Sequence, residues 1–82
     1  MKDEAFSTSD LGCAACVVAL GTELLAILPD EGGRCAFQFS AKAKSIAERY
    51  WAGDQSIDAS LFFSSLKNLK SRIYAIRNDG LL

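Results

Sequence analysis

The first apolar segment of the chain follows a run of small polar residues. Ser7-Thr8-Ser9-Asp10 offers a helix N-cap, with a carboxylate three residues after Ser7. Apolar residues then recur at helical spacing as far as Gly21, a natural helix terminator. We therefore predict a first helix over residues 8–20. Because it is apolar on nearly every side, it should be covered by several other elements.

The next two segments predict a β-hairpin. Residues 22–28 resemble a short strand that is apolar on both faces, and residues 29–33 form a turn with one Pro and two Gly. Residues 34–40 alternate strictly between apolar and other side chains, as in a strand with one buried face. The apolar set of this strand is Cys35, Phe37 and Phe39.

Two further helices are predicted downstream. Ser40 can cap a helix over residues 41–52 that ends at Gly53. Asp58 can cap a longer helix over residues 59–77.

The last helix carries the sharpest apolar pattern. Its large apolar residues are spaced 4, 3, 4 and 3 apart, which forms an apolar stripe over two heptads: Phe62, Leu66, Leu69, Ile73 and Ile76. Two interpretations are open. The stripe faces the core of its own domain, or it also packs on a partner subunit.

These elements predict an α+β fold in the order α-β-β-α-α, with a two-stranded antiparallel hairpin packed on three helices. Residues 1–6 are predicted to be a flexible tail and residues 7–82 a single domain, because 82 residues leave no room for a second core. A two-stranded sheet is rarely stable alone. We therefore expect a homodimer that completes the sheet or the helices across a two-fold axis.

The amino-acid composition argues against most kinds of catalytic and metal-binding site. The chain contains no His, which excludes a serine triad as usually built and removes the commonest metal ligand. Cys13 and Cys16 form a C-x-x-C motif that Cys35 could approach, but a fourth Cys is missing. We interpret the three cysteines as buried hydrophobic residues, and we predict no enzyme activity, no metal and no cofactor.

The same features indicate where the protein resides. An odd number of cysteines argues against a disulfide framework and favours a reducing compartment. Asp3 and Glu4 remove the positive charge that a secretory signal needs at its start. The apolar stretch over residues 11–28 is interrupted by Glu23, so no membrane span is predicted. We expect a cytoplasmic protein.

Charge is distributed unevenly along the chain, although the formal net charge is only −1. No acidic residue lies between Ala59 and Arg77, and the last helix aligns basic and aromatic side chains on one face: Phe63, Lys67, Lys70, Tyr74 and Arg77. Such a face can grip phosphates and stack on bases. Alternatively, it is a solvated face whose cations suit the negative end of the helix dipole.

Two resemblances bear on this choice. From Arg34 onward, the order strand, helix, short turn, helix resembles a ribbon-helix-helix DNA-binding module, with Arg34 and Gln38 on the outer strand face. The segments 8–12, 33–39 and 62–74 resemble a family of small prokaryotic single-domain proteins of unknown function. The second resemblance implies a stand-alone binding or helper domain, and no catalytic residue.

The predicted function is therefore a small non-catalytic interaction module, a homodimer that binds a protein partner through the apolar stripe. The alternative is a nucleic-acid-binding module. It would use the basic face of the last helix (Lys67, Lys70, Tyr74 and Arg77) or the outer face of the hairpin (Arg34 and Gln38).

Overall fold

The computed structural model describes residues 5–29 and 34–80. These residues form three helices and a three-stranded antiparallel sheet, which confirms the α+β class. The elements are β1 (Phe6–Thr8), α1 (Leu11–Ala19), β2 (Leu24–Pro29), β3 (Cys35–Phe39), α2 (Ala43–Trp51) and α3 (Ala59–Gly80). The predicted turn between β2 and β3 lies outside the described residues, apart from Pro29.

The sheet corrects the predicted two-stranded hairpin. Its strand order is β1-β3-β2, and β1 pairs with β3 so that Phe6 lies opposite Phe39 and Thr8 lies opposite Phe37. Phe6, predicted to be tail, and Thr8, predicted to be helical, are therefore strand residues. Three residues are too few to show a strand period, which is why the sequence did not reveal this strand.

The start of α1 shows why the N-cap was misplaced. Asp10 is the N-cap residue, and its Oδ1 accepts a hydrogen bond of 3.1 Å from the backbone N–H of Cys13. The carboxylate predicted to complete a capping box from Ser7 is thus itself the cap, three residues later. The end of the helix is as predicted: Gly21 has a φ of 98°, in the left-handed region that favours glycine.

The core forms where α1 meets the inner face of the sheet. Five consecutive residues of α1, from Cys13 to Val17, are buried, which confirms that this helix is covered on several sides. The predicted inward set of β3 is buried as well. The buried cluster joins them to one α3 residue and two small α2 residues: Cys13, Ala14, Ala15, Val17, Cys35, Phe37, Phe39, Ala43, Ala47 and Leu69.

β2 forms one edge of the sheet and carries an irregularity. Leu24 pairs with Phe39 and Ala26 pairs with Gln38, so Leu25 is an extra residue between two successive pairs. Beyond this bulge, Ile27 pairs with Phe37 and takes the inner face. No other described strand pairs with the outer edge of β2.

The two C-terminal helices differ in how they begin. α2 starts at Ala43 after Lys42, without a side-chain cap bond, so the predicted cap by Ser40 is wrong. The Ser40 backbone carbonyl instead accepts the N–H of Ala43 in a turn at 3.0 Å. For α3, the predicted cap is confirmed, because Asp58 Oδ1 accepts the N–H groups of Ser60 and Leu61 at 2.8 and 3.2 Å.

α3 is longer than predicted and packs against α1. Its 22 residues span about 33 Å at about 1.5 Å per residue. Within the described part of the chain, no helix is both long and apolar enough to cross a membrane.

Candidate interaction surfaces

The apolar stripe of α3 faces the chain's own core. Leu69 is 2% exposed, and Phe62, Leu66 and Ile73 pack partly buried against the core cluster. Ile76 is half-buried near Ile27 of β2. The interpretation as a core-facing stripe therefore describes these side chains, whereas contact with a partner subunit stays a prediction.

A second face of α3, rotated by about 100° from the stripe, is exposed. Phe63 and Tyr74 are 65% and 69% exposed, and Lys67 and Lys70 lie exposed between them. We call these four residues the basic-aromatic face. Arg77 is exposed on the same side of the helix, one turn further along.

The other two predicted nucleic-acid contacts lie on the sheet. Gln38 pairs with Ser7 and Ala26, and it alternates with the buried Phe37 and Phe39, so its side chain is on the sheet face opposite the core. Arg34 is exposed just before β3. The structure thus places the predicted nucleic-acid residues on two separate surfaces.

The sheet presents an apolar surface that the sequence analysis did not single out. On the face opposite the core, Leu28 pairs with Ala36 and Ala26 pairs with Gln38, and Leu25 projects from the bulge. Leu25 and Leu28 are 54% and 48% exposed. We call Leu25, Ala26, Leu28 and Ala36 the outer sheet surface. The signal in the sequence was the unbroken apolar run of β2, which we described as apolar on both faces without assigning either face to an interaction surface.

A cluster of polar contacts joins the start of α1 to the end of α2. Trp51 Nε1 donates to Asp10 Oδ2 at 2.9 Å, and the Asp10 N–H donates to Thr8 Oγ1 at 3.1 Å. The Trp51 ring also faces Phe6 at a centroid distance of 6.2 Å. Sequence reasoning missed this cluster, because Asp10 and Trp51 are 41 residues apart and no local pattern connects them.

The surroundings of this cluster favour the ionised carboxylate of Asp10 and the protonated side chains of Cys13 and Tyr50. The hydrogen bond from Trp51, with backbone bonds from Cys13 and Gly12, lowers the pKa of Asp10 against the opposing effect of burial. Burial, reinforced by the negative charge of Asp10, raises the pKa of the Cys13 thiol to about 11. Burial also raises the pKa of Tyr50. The carboxylate is therefore ionised at neutral pH, while the thiol and the phenol keep their protons.

All three cysteines are free and buried, as expected of small packing residues. Among the described residues, no group of three or more His, Cys, Asp or Glu is placed to hold a metal ion.

A cleft of about 280 Å³ lies where the end of α1, the start of β2 and the middle of α3 meet. Its lining mixes apolar and polar residues: Val18, Thr22, Glu23, Leu24, Ser65, Asn68, Leu69 and Arg72. Glu23 and Arg72 are both exposed, so the two charged side chains of the cleft are solvated.

Comparison with known proteins identifies no related protein. No family model, no curated protein and no solved structure matches this chain. The resemblance to a family of small prokaryotic proteins stays a prediction. For the ribbon-helix-helix resemblance, the order β3, α2, α3 is present, but β3 is paired on both edges within the chain and has no edge left for a strand of a second copy.

Proposed function

We propose that this protein is a small non-catalytic interaction module that forms a homodimer and binds a protein partner. The observation that carries the proposal is the outer sheet surface, where Leu25 and Leu28 are about half exposed beside Ala26 and Ala36. Contiguous exposed apolar side chains on a small domain are typical of association sites. The third strand makes the sheet adequate for a monomer, so the support for a dimer is this surface rather than a need for more strands.

The homodimer uses β2. A two-fold interface brings the same residues of both copies together, so it must be built from side chains that tolerate self-contact. Leu24–Pro29 contains no charged residue and forms an edge of the sheet in the described part of the chain. Antiparallel pairing of two β2 edges would continue the sheet across both copies and set Leu25 and Leu28 of one copy beside those of the other on the same sheet face. The basic-aromatic face is a poor alternative, since it would place lysines against lysines.

The non-catalytic part of the proposal is supported by the cluster around Asp10. A nucleophilic thiol needs a lowered pKa, whereas that of Cys13 is raised to about 11. Both oxygens of Asp10 accept structural hydrogen bonds, from Cys13 N–H and from Trp51. Three free, buried thiols also fit the predicted cytoplasmic location.

The dimer is tested by light scattering during gel filtration at increasing concentration. Wild type should reach a mass near twice the 8.8 kDa of one chain at micromolar concentration. The variant Leu25→Lys/Leu28→Lys should stay monomeric, because charges on an edge strand prevent pairing. Leu61→Lys is the matched control, since Leu61 is 53% exposed but lies on α3.

Two results would overturn this proposal. One is a wild-type mass near 8.8 kDa at every concentration. The other is a dimer that survives the double change on β2 and is lost in Leu61→Lys, which would place the interface on α3.

Nucleic-acid binding is the second candidate, and the exposed Phe63 and Tyr74 beside Lys67 and Lys70 favour it. Lys67, Lys70 and Arg77 on this helix face would neutralise about three phosphates. The logarithm of the binding constant would then fall with the logarithm of the salt concentration with a slope of only about −2 for a single strand. If this function is correct, labelled oligonucleotides bind in low salt, and Lys67→Glu/Lys70→Glu abolishes binding. Loss in Arg34→Ala/Gln38→Ala instead would assign binding to the outer face of the sheet.

A further inference from the structure

The basic-aromatic face of α3 is long enough to lie along one short helix of another protein. Phe63, Lys67, Lys70 and Tyr74 follow one another at intervals of four, three and four residues. They therefore form a straight row about 16 Å long, which is three helical turns. An aromatic ring stands at each end and two ammonium groups stand between them, all exposed to solvent.

Nothing in the described part of the chain occupies this row. Neither Lys67 nor Lys70 has an ion pair among the described residues. No acid lies on α3 between Ala59 and Arg77 to offset their charge. A shallow depression beside Phe63, lined also by Ser60, Ser64 and Lys67, leaves room for an apolar side chain from outside.

We propose that the basic-aromatic face docks an acidic amphipathic helix of a partner protein. Phe63 and Tyr74 would pack on the apolar residues of that helix, and Lys67 and Lys70 would pair with its carboxylates. This inference rests on the proposed function as an interaction module and names the chemistry of its partner.

Charge and spacing favour this occupant over the alternatives. A second copy in a two-fold arrangement would set Lys67 and Lys70 against the same residues, which is repulsive. For a nucleic acid, two lysines between the rings offer few phosphate contacts, and affinity for a phosphate backbone depends on the number of those contacts. An acidic amphipathic helix can contact the rings with its apolar residues and the lysines with its carboxylates, and three of its turns would span the row.

The probe is a fluorescein-labelled peptide of about 18 residues, with Leu at intervals of three and four and Glu at the flanking positions. A matched peptide carries Lys in place of every Glu, and a labelled oligothymidylate tests single-stranded nucleic acid. Fluorescence anisotropy should show that wild type binds the acidic peptide, more weakly as salt increases, and that it does not bind the basic peptide.

Variants locate the binding surface. Lys67→Glu/Lys70→Glu should weaken binding by about tenfold or more, because two attractive contacts become repulsive. Phe63→Ala/Tyr74→Ala should weaken it about as much, because the rings are the apolar anchors. Lys42→Glu/Lys44→Glu is the control: it makes the same charge change on exposed residues at the start of α2 and should alter binding by no more than about twofold. Circular dichroism of each variant confirms that the helices are retained.

The proposal is overturned if the acidic peptide does not bind at about 1 mM, a concentration at which even weak specific pairs associate. It is also overturned if both charge-reversal variants weaken binding equally, or if the oligothymidylate binds through Lys67 and Lys70 while the peptide does not. The mass measurements on β2 variants are independent of these titrations. A dimer without peptide binding refutes the docking inference alone, whereas peptide binding by a strict monomer refutes only the homodimer.

Discussion

The hydrogen bond between Trp51 and Asp10 fastens the end of α2 to the start of α1, and its loss should have a measurable cost. Trp51→Phe removes the Nε1–H donor but keeps a ring near Phe6, whose centroid lies 6.2 Å from that of Trp51. A hydrogen bond to a charged group contributes about 1.5–3 kcal/mol. Both partners are exposed, and solvent screening reduces that contribution to about 1 kcal/mol.

Thermal unfolding followed by circular dichroism measures this cost, because Trp51 is the only tryptophan and its replacement would remove the tryptophan fluorescence signal. We expect a melting temperature lower by about 4–8 °C for a loss of about 1 kcal/mol in a domain of this size. Asp10→Ala should cost about 2 kcal/mol, because it also removes the helix cap. The double variant should cost no more than Asp10→Ala, since the bond can be lost only once.

The pH dependence distinguishes the hydrogen bond from simple ring packing. The bond from Trp51 lowers the pKa of Asp10 in the folded protein below its ordinary 3.8. The stability it provides is therefore complete above the unfolded pKa and is lost as the pH falls through the lower folded pKa. The difference between wild type and Trp51→Phe should be full at about pH 6 and shrink below about pH 4. An equal difference at both ends of this range would refute the reasoning.

Three further predictions follow from packing. Gly12→Ala should cost about 1–3 kcal/mol, because the added Cβ would overlap the Tyr50 hydroxyl, and Tyr50→Phe in the same chain should restore most of the loss in a urea titration. Cys13, with a pKa of about 11, should react with iodoacetamide at pH 8 far more slowly in the folded protein than in urea; equal rates would contradict its burial. Leu69→Ala should cost about 2–5 kcal/mol, whereas Leu61→Ala, at a site 53% exposed, should stay within about 0.5 kcal/mol by thermal melting.

The spacing of apolar residues predicted the helices and strands that are long enough to show a repeating pattern. The stripe of α3, the cap at Asp58 and the alternation of β3 all appear in the structure as local patterns require. β1 was not predicted because its three residues show no period and because Ser7 and Asp10 together resemble a capping box. Its strand identity depends on pairing with β3, some 30 residues away in the chain, and no local pattern encodes that contact.

The candidate surfaces were predictable to different degrees. The basic-aromatic face follows directly from residue spacing on α3, since exposure on a helix repeats with its period. The outer sheet surface does not, because the sequence of β2 is equally apolar whether a helix covers it or not. Only the placement of all three helices relative to the sheet shows that Leu25 and Leu28 are exposed.

The burial of five consecutive residues in α1 has a consequence for how the domain opens. α1 contacts β1, α2 and α3, and its buried side chains share the core cluster with β3. None of these elements can detach without hydrating part of α1, so partial openings that preserve the rest of the domain are costly. The amide protons of Cys13–Val17 should therefore exchange with deuterium only when the whole chain unfolds, which makes this short helix the slowest-exchanging segment.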